Sequence, residues 1–204
     1  MRTPRITFRE GTADSYIYNE VVSGNAYGLT GSEKTVIDIG ANVGIFSIFS
    51  ALNGARVCAF EPEDKSCKRL IENIERAGVE DRVTVHRYAI GDIGKRKLYL
   101  DEENSGGHTF YGKGDYQIVE TISLKRAIEL STFDRCDFLK VDCEGAEYEI
   151  FDNEKLFEKI SKISMELHAG DMGGLIKTMS KNYEVAVTKS YPDPNIILKG
   201  NKWQ

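Results

Sequence analysis

Val36-Ile37-Asp38-Ile39-Gly40-Ala41-Asn42-Val43-Gly44-Ile45-Phe46-Ser47 is the stretch from which the rest of this 204-residue chain can be read. A β-branched run meets an acid and two glycines, then continues as an apolar pattern with helical spacing. That order predicts a strand, a tight turn and a helix N-terminus. Strand ends followed by glycine turns are where open α/β sheets hold nucleotide-like ligands. Glycine lets backbone approach a ligand closely, because no Cβ intervenes.

The spacing narrows the ligand. A dinucleotide fingerprint reads G-x-G-x-x-G and aims amides at a pyrophosphate. Here the turn runs Asp38-x-Gly40-x-Asn42-x-Gly44, with Asn where the second glycine would stand. An acid at the strand end repels pyrophosphate and suits a cationic amino-acid end, such as that of S-adenosylmethionine. A second apolar run, Arg56 to Phe60, ends in Glu61-Pro62, placing a carboxylate 17 residues after Gly44. An acid about 20 residues beyond such a turn holds ribose hydroxyls. Pro62 fixes the chain as it leaves the strand.

Composition sets the bounds. With 41% hydrophobic and 29% charged residues, the chain reads as an ordinary globular protein. A formal net charge of −5 with dispersed basic residues argues against a nucleic-acid partner. No run approaches the ~18 apolar residues of a membrane span, and no signal peptide opens the chain, so a cytoplasmic location is expected. Cys58, Cys67, Cys136 and Cys143 form no CxxC pair and read as reduced and structural.

Residues 1–34 precede the first core strand and read as a flap or edge extension, with residues 35–204 as one cofactor-binding domain. Residues 15–22 suit a short helix or strand. Beyond Pro62 a helix is expected up to Gly78, then a strand over 82–88 that leads to Ala89-Ile90-Gly91-Asp92. Gly94 opens a hairpin arm. Residues 101–114 form a polar, glycine-rich loop containing His108. Strands are expected over 118–123, 136–142 and 160–167, helices over 124–130 and 172–181, and an antiparallel edge pair over 183–189 and 195–199. Alternating strands and helices give an α/β fold with a mostly parallel, doubly wound sheet, helices on both faces and an antiparallel C-terminal edge.

Four of the expected strands carry acids at their ends: Asp38, Glu61, Asp142 and Glu166. In a parallel sheet those ends share one edge, where ligands bind. Clustered carboxylates need a cation, a hydroxyl-rich ligand or a partner lysine. Lys140 lies two residues before Asp142, so both face the same side of a strand. Glu144 and Glu147 follow in the next loop. His168, just past Glu166, can act as a general base near neutral pH. His108 has the same capacity.

Together, Asp38-Ile39-Gly40-Ala41-Asn42-Val43-Gly44, Phe60-Glu61-Pro62, Ala89-Ile90-Gly91-Asp92, Lys140-Val141-Asp142-Cys143-Glu144-Gly145-Ala146-Glu147 and Glu166-Leu167-His168 resemble the FkbM family of S-adenosylmethionine-dependent methyltransferases. The first two blocks are common to class I methyltransferases, and the lysine-to-glutamate block is more specific to this family. The resemblance spans roughly Arg9 to His168. It implies methylation of a hydroxyl on a sugar, glycolipid or polyketide-like small molecule, with S-adenosyl-L-methionine as methyl donor. By position, Asp38, Gly40, Asn42 and Gly44 would line the methionine end of the cofactor. Glu61 would hold the ribose beside Pro62, and Ala89, Ile90 and Asp92 would border the adenine. Lys140, Asp142, Glu144, Glu166 and His168 would face the methyl group, with Asp142 or His168 as the base. A divalent metal on Asp142, Glu166 and His168 is an alternative way to activate the hydroxyl. A nicotinamide-dependent oxidoreductase and a non-catalytic cofactor-binding module are the rival readings on the same sheet. The oligomeric state stays open.

Overall fold

The computed structural model describes residues 1–101, 108–151, 154–168, 170–189 and 196–202. Ser105, Gly106 and Gly107 of the polar loop and Asn195 of the expected last strand lie outside them. In chain order the elements begin with α1 (Asp14–Tyr18), which runs directly into a π-helical turn over Asn19–Ser23. Then come β1 (Thr35–Ile39), α2 (Ile45–Leu52), β2 (Arg56–Phe60), α3 (Asp64–Ala77), β3 (Val83–His86) and β4 (Ala89–Ile90). An arm of β5 (Gly94–Tyr99) and β6 (Tyr116–Ile122) leads to α4 (Leu124–Ser131) and β7 (Cys136–Val141). The chain continues through α5 (Glu147–Ile150), a 3-10 turn over Glu154–Lys159, β8 (Ile160–Leu167), α6 (Met172–Met179), β9 (Tyr183–Lys189) and β10 (Ile196–Lys202).

Among the described residues the main sheet has the order β3-β2-β1-β7-β8-β10-β9. β1 pairs in parallel with β2 on one side and β7 on the other, so it is central and buried on both faces. The expected antiparallel pair of β9 and β10 forms, but β10 inserts between β8 and β9 and runs antiparallel to both. β9 is therefore the edge strand. A second, three-stranded sheet of β4, β6 and β5 hangs beside the main one.

The pleat sorts the core into two layers. Ile37, Ile39, Phe60, Leu139, Val141 and Met165 pack on the α4 side. Val36, Val57, Ala59 and Phe138 pack with α2 on the other side. Asp38, between Ile37 and Ile39, consequently points into the α2 layer and is fully buried.

The glycine turn joins β1 to α2 with left-handed backbone at Gly40 (φ +74), Asn42 (φ +50) and Gly44 (φ +92). A Cβ on Gly40 would lie 1.7 Å from the Asp142 carbonyl oxygen, because the end of β7 passes directly over the turn. On Gly44 it would meet Leu70 Cδ1 at 2.4 Å, so this glycine lets α2 and α3 pack closely. α3 starts with Glu63, whose carboxylate accepts the Lys65 and Ser66 amides, and ends at the left-handed Gly78.

Gly40→Ala should therefore cost more than Gly54→Ala. Gly54 also has left-handed backbone (φ +103), but a Cβ there would meet nothing within 4 Å. We expect Gly54→Ala to lower stability by about 1–2 kcal/mol, roughly 2–8 °C in Tm, and Gly40→Ala to lower it well beyond that or prevent folding. Equal Tm losses in thermal unfolding would refute the close packing of β7 over the turn.

Candidate active site

The carboxyl ends of β1, β2, β7 and β8 surround a cavity of about 340 Å³. Gly40 and Asn42 of the turn line it, as do Glu61 and Pro62 after β2 and Ala89 and Ile90 of β4. Lys140, Asp142, Glu144 and Glu166 line it too. Four of the sequence-selected residues are not on its wall, each for an identifiable reason. Asp38 is turned into the core by the β1 pleat, Gly44 is used for helix packing, and Asp92 is exposed. His168 stands behind the loop after β7.

At one end, Glu61 is 6% exposed, and its oxygens accept the Asn42 amide at 2.7 Å and the Glu63 amide at 2.9 Å. Burial pushes its pKa up to about 7 against the pull of those two amides. Two bonded carboxylate oxygens retain further lone pairs, which suits paired hydroxyls.

At the other end, Lys140 is the hub. It lies opposite Asp38 in the β1–β7 register, with its Nζ 3.3 Å from Asp38 Oδ1 and 3.4 Å from Asp142 Oδ2. It also donates to the Gly40 carbonyl at 2.7 Å. Burial would lower its pKa, but Asp38 and Asp142 overcome that and hold it well above the usual lysine value. Asp38 is fixed from α2 as well, by the Ser47 hydroxyl at 2.6 Å.

The N-terminal segment supplies part of the wall. Tyr16, Ile17, Glu20 and Tyr27 all border the cavity. The Tyr27 hydroxyl lies 2.9 Å from Asp142 Oδ2 and 3.1 Å from Glu166 Oε2. One phenol proton is divided between the two carboxylates, and a proton on Glu166 would complete the second contact. Burial, reinforced by Asp142, pushes the Glu166 pKa up to about 8, which supplies that proton near neutrality. Tyr88, Leu98, His108 and Phe110 complete the β4 side. Sequence reasoning singled out His108 but missed Tyr27, whose only local signal is an aromatic residue before Gly28.

His168 is held between two acids, with Nε2 3.1 Å from Glu144 Oε2 and Nδ1 3.0 Å from Glu147 Oε1. Burial alone would lower its pKa, but Glu144 and Glu147 raise it to about 11. Glu147 also accepts the Cys143 and Gly145 amides, so the pair braces the loop that carries Glu144. A ring doubly paired and charged has no lone pair for a proton or a cation. The atoms of Asp142, Glu144 and His168 do lie within 4.8 Å of one another. Glu144 thus takes the place expected for Glu166, and both ring nitrogens of His168 are already bonded to Glu144 and Glu147.

The four cysteines are free, and burial pushes the Cys58 and Cys136 thiols up to about 12. Among the described residues no helix is long and apolar enough to cross a membrane.

The strand order, with the cavity over the carboxyl ends of β1 and β2, is that of the Rossmann-like class I methyltransferase fold. Magnesium protoporphyrin IX methyltransferase from Synechocystis, solved with S-adenosylmethionine bound, shares the fold. It has a TM-score of 0.60 at 10% identity, covering 98% of this chain and 86% of that one. Residues 38–185 match the methyltransferase FkbM domain, and the chain belongs to that family. Hexuronic acid methyltransferase AglP of Haloferax volcanii is 28% identical over 168 residues, 79% of this chain and 68% of AglP. The antimetabolite synthetase AmbE of Pseudomonas aeruginosa is 31% identical over 107 residues, half of this chain but only 5% of AmbE. Family membership sets aside the nicotinamide-dependent alternative.

The raised pKa values of Glu61, Glu166 and His168 have one sign in common. Each folded-state value exceeds its unfolded value, so each contributes stability that is full below the unfolded pKa and is lost as pH rises through the folded one. For Glu61 and Glu166 that window runs from 4.5 to about 7 and about 8, and for His168 from 6.5 to about 11. Apparent Tm should fall between pH 5 and pH 9, and His168→Asn should flatten the upper part of that fall. A Tm that rose with pH in the wild type would contradict these environments.

Proposed function

We propose that this enzyme methylates a hydroxyl oxygen of a sugar or a similarly polyhydroxylated small molecule, with Asp142 as the base. The supporting observation is the division of the cavity. A buried carboxylate, Glu61, stands at one end, and Asp142 stands at the other with both of its described contacts on one oxygen. Bound S-adenosylmethionine supplies a methyl group on a sulfonium, open to in-line attack. On this reading Glu61 accepts the ribose hydroxyls, with Pro62 beside it, and Gly40 and Asn42 pass along the methionine end. Ala89 and Ile90 cover the adenine.

Lys140 and Tyr27 both engage Asp142 Oδ2, leaving Oδ1 for the incoming hydroxyl. As the oxygen–methyl bond forms and the sulfur–methyl bond breaks, the hydroxyl proton passes to Asp142. Lys140 holds the Asp142 carboxylate in place meanwhile. Glu166, protonated, holds Tyr27, and Glu144 borders the acceptor with His168 fixing its carboxylate. His168 therefore acts by position rather than as the base. Holding the reacting atoms in line can supply ~7–11 kcal/mol of the barrier.

AglP, by its name, acts on a hexuronic acid, which supports a sugar acceptor here. The lining charge supports a different sugar: Glu20, Asp142, Glu144 and Glu166 line this end, and Lys140 is the lysine or arginine among the described lining residues. An acceptor carboxylate placed among them would meet like charge, a deterrent of several kcal/mol. The dispersed charge of the chain likewise supports a small-molecule acceptor over nucleic acid.

Two outcomes are expected when transfer from methyl-labelled S-adenosylmethionine is assayed on a panel of glycosides. Neutral glycosides should outperform the matching uronic acids, and preference for the uronic acids would reverse the acceptor assignment. Asp142→Asn should lower turnover by about 10²–10⁴-fold while S-adenosylhomocysteine affinity stays within a few-fold. Wild-type turnover in Asp142→Asn would remove it as the base.

A further inference from the structure

A ring of hydrogen bonds runs round the Glu61 end of the cavity, built from three separated pieces of chain. Arg9 donates from Nη2 to Asn42 Oδ1 at 2.7 Å and from Nη1 to Ser66 Oγ at 3.0 Å. The Asn42 amide donates to Glu61 Oε2 at 2.7 Å, and the Glu63 amide to Glu61 Oε1 at 2.9 Å. The Ser66 amide donates to Glu63 Oε2 at 2.6 Å, which closes the ring.

Arg9 is itself fixed. Asp14, fully buried, accepts its Nε at 3.1 Å, its Nη2 at 2.7 Å and its backbone amide at 2.7 Å. The planar fork is what lets one side chain hold Asp14, Asn42 and Ser66 together, which a lysine cannot do. Arg9 does not line the cavity, whereas Asn42 and Ser66 do.

Asn42 is the informative member. Its left-handed backbone (φ +50) favours glycine, which stands at Gly40 and Gly44 on either side of it. Asparagine gives up part of that conformational ease and gains an amide oxygen for Arg9 to grip. The same residue's backbone amide then aims the Glu61 carboxylate. The departure from a glycine pattern in the turn thus has a use that only the folded N-terminal segment reveals.

We propose that Arg9 is a positioning residue for the cofactor turn, coupling the docking of residues 9–14 to cofactor binding through Asn42 and Glu61. The proposal rests on the reading of Glu61 as the ribose acceptor. Because coupling between sites is reciprocal, whatever the segment adds to cofactor affinity the cofactor returns as tighter docking of the segment.

Calorimetric titration with S-adenosylhomocysteine tests this without knowledge of the acceptor. The proteins are wild type, Arg9→Lys, Asn42→Gly and the double variant, with Glu61→Gln as a control. Arg9→Lys keeps a positive charge beside Asp14 but loses the fork. Each single variant should weaken binding about 10-fold, and the double variant no more than about 10-fold, because both cut one link in a shared network. Unchanged affinity in Arg9→Lys would overturn the proposal. So would losses that multiply in the double variant to about 100-fold, the additivity expected of independent sites. Should Arg9→Lys not fold, Ser66→Ala replaces it in the cycle with the same test of non-additivity, leaving the Arg9–Asp14 pair intact. If the wild type did not bind S-adenosylhomocysteine, or Glu61→Gln bound it equally well, the cofactor reading itself would fall and this proposal with it.

Discussion

The ion pair between Lys140 and Asp38 is the constraint on which the site depends. It spans two adjacent central strands, and both partners are almost wholly removed from water. Burying an ammonium is costly unless carboxylates and carbonyls surround it. Lys140 satisfies that demand with Asp38, Asp142 and the Gly40 carbonyl, and so draws the end of β1, the glycine turn and the end of β7 to one point. Asp38 never reaches the cavity, yet without it a single charged lysine would face Asp142 with half its compensation gone. A core acid thereby governs the ionisation of a residue at the reacting end.

Much of this was legible in the chain, because strands that end in acids announce the working edge of a parallel sheet. What could not be read was which way each acid turns. Asp38 is the penultimate residue of β1, so the pleat fixes its direction. Glu61 stands one place beyond β2 and Asp142 one place beyond β7, where the pleat no longer constrains the side chain and both border the cavity. That two-residue difference separates a cavity wall from a core anchor. The position of β10 inside the sheet was illegible for another reason, since local patterning carries no record of which strand a terminal segment will join.

The N-terminal segment was expected as a flap or edge extension, but none of its residues could be given a role because its signals are short. Five α-helical residues followed by a π-turn are too few to show periodicity, and the flap expected there had no assigned contacts. Its importance arises from long-range bonds: Tyr27 to Asp142, more than a hundred residues away, and Arg9 to Asn42 and Ser66. His168 shows the complementary limit of local signals. A histidine near a strand end reads as a base by its intrinsic pKa, and nothing local shows that Glu144 and Glu147 flank its two ring nitrogens.

On the proposed reading, the two ends of the cavity are matched to a charge that exists only before the reaction. Even with Glu166 protonated, the acids Asp38, Asp142, Glu144 and Glu147 outnumber Lys140 and His168, the cations paired with them among the described residues, and burial has already pushed Glu144 and Glu166 toward their neutral forms. A positive charge arriving between them would relieve that strain, favouring ionised acids and tighter binding. Methyl transfer removes the sulfonium charge and hands Asp142 a proton, so the attraction and the need for it vanish together. The same acids that would draw in the charged donor thus hold its neutral product less firmly.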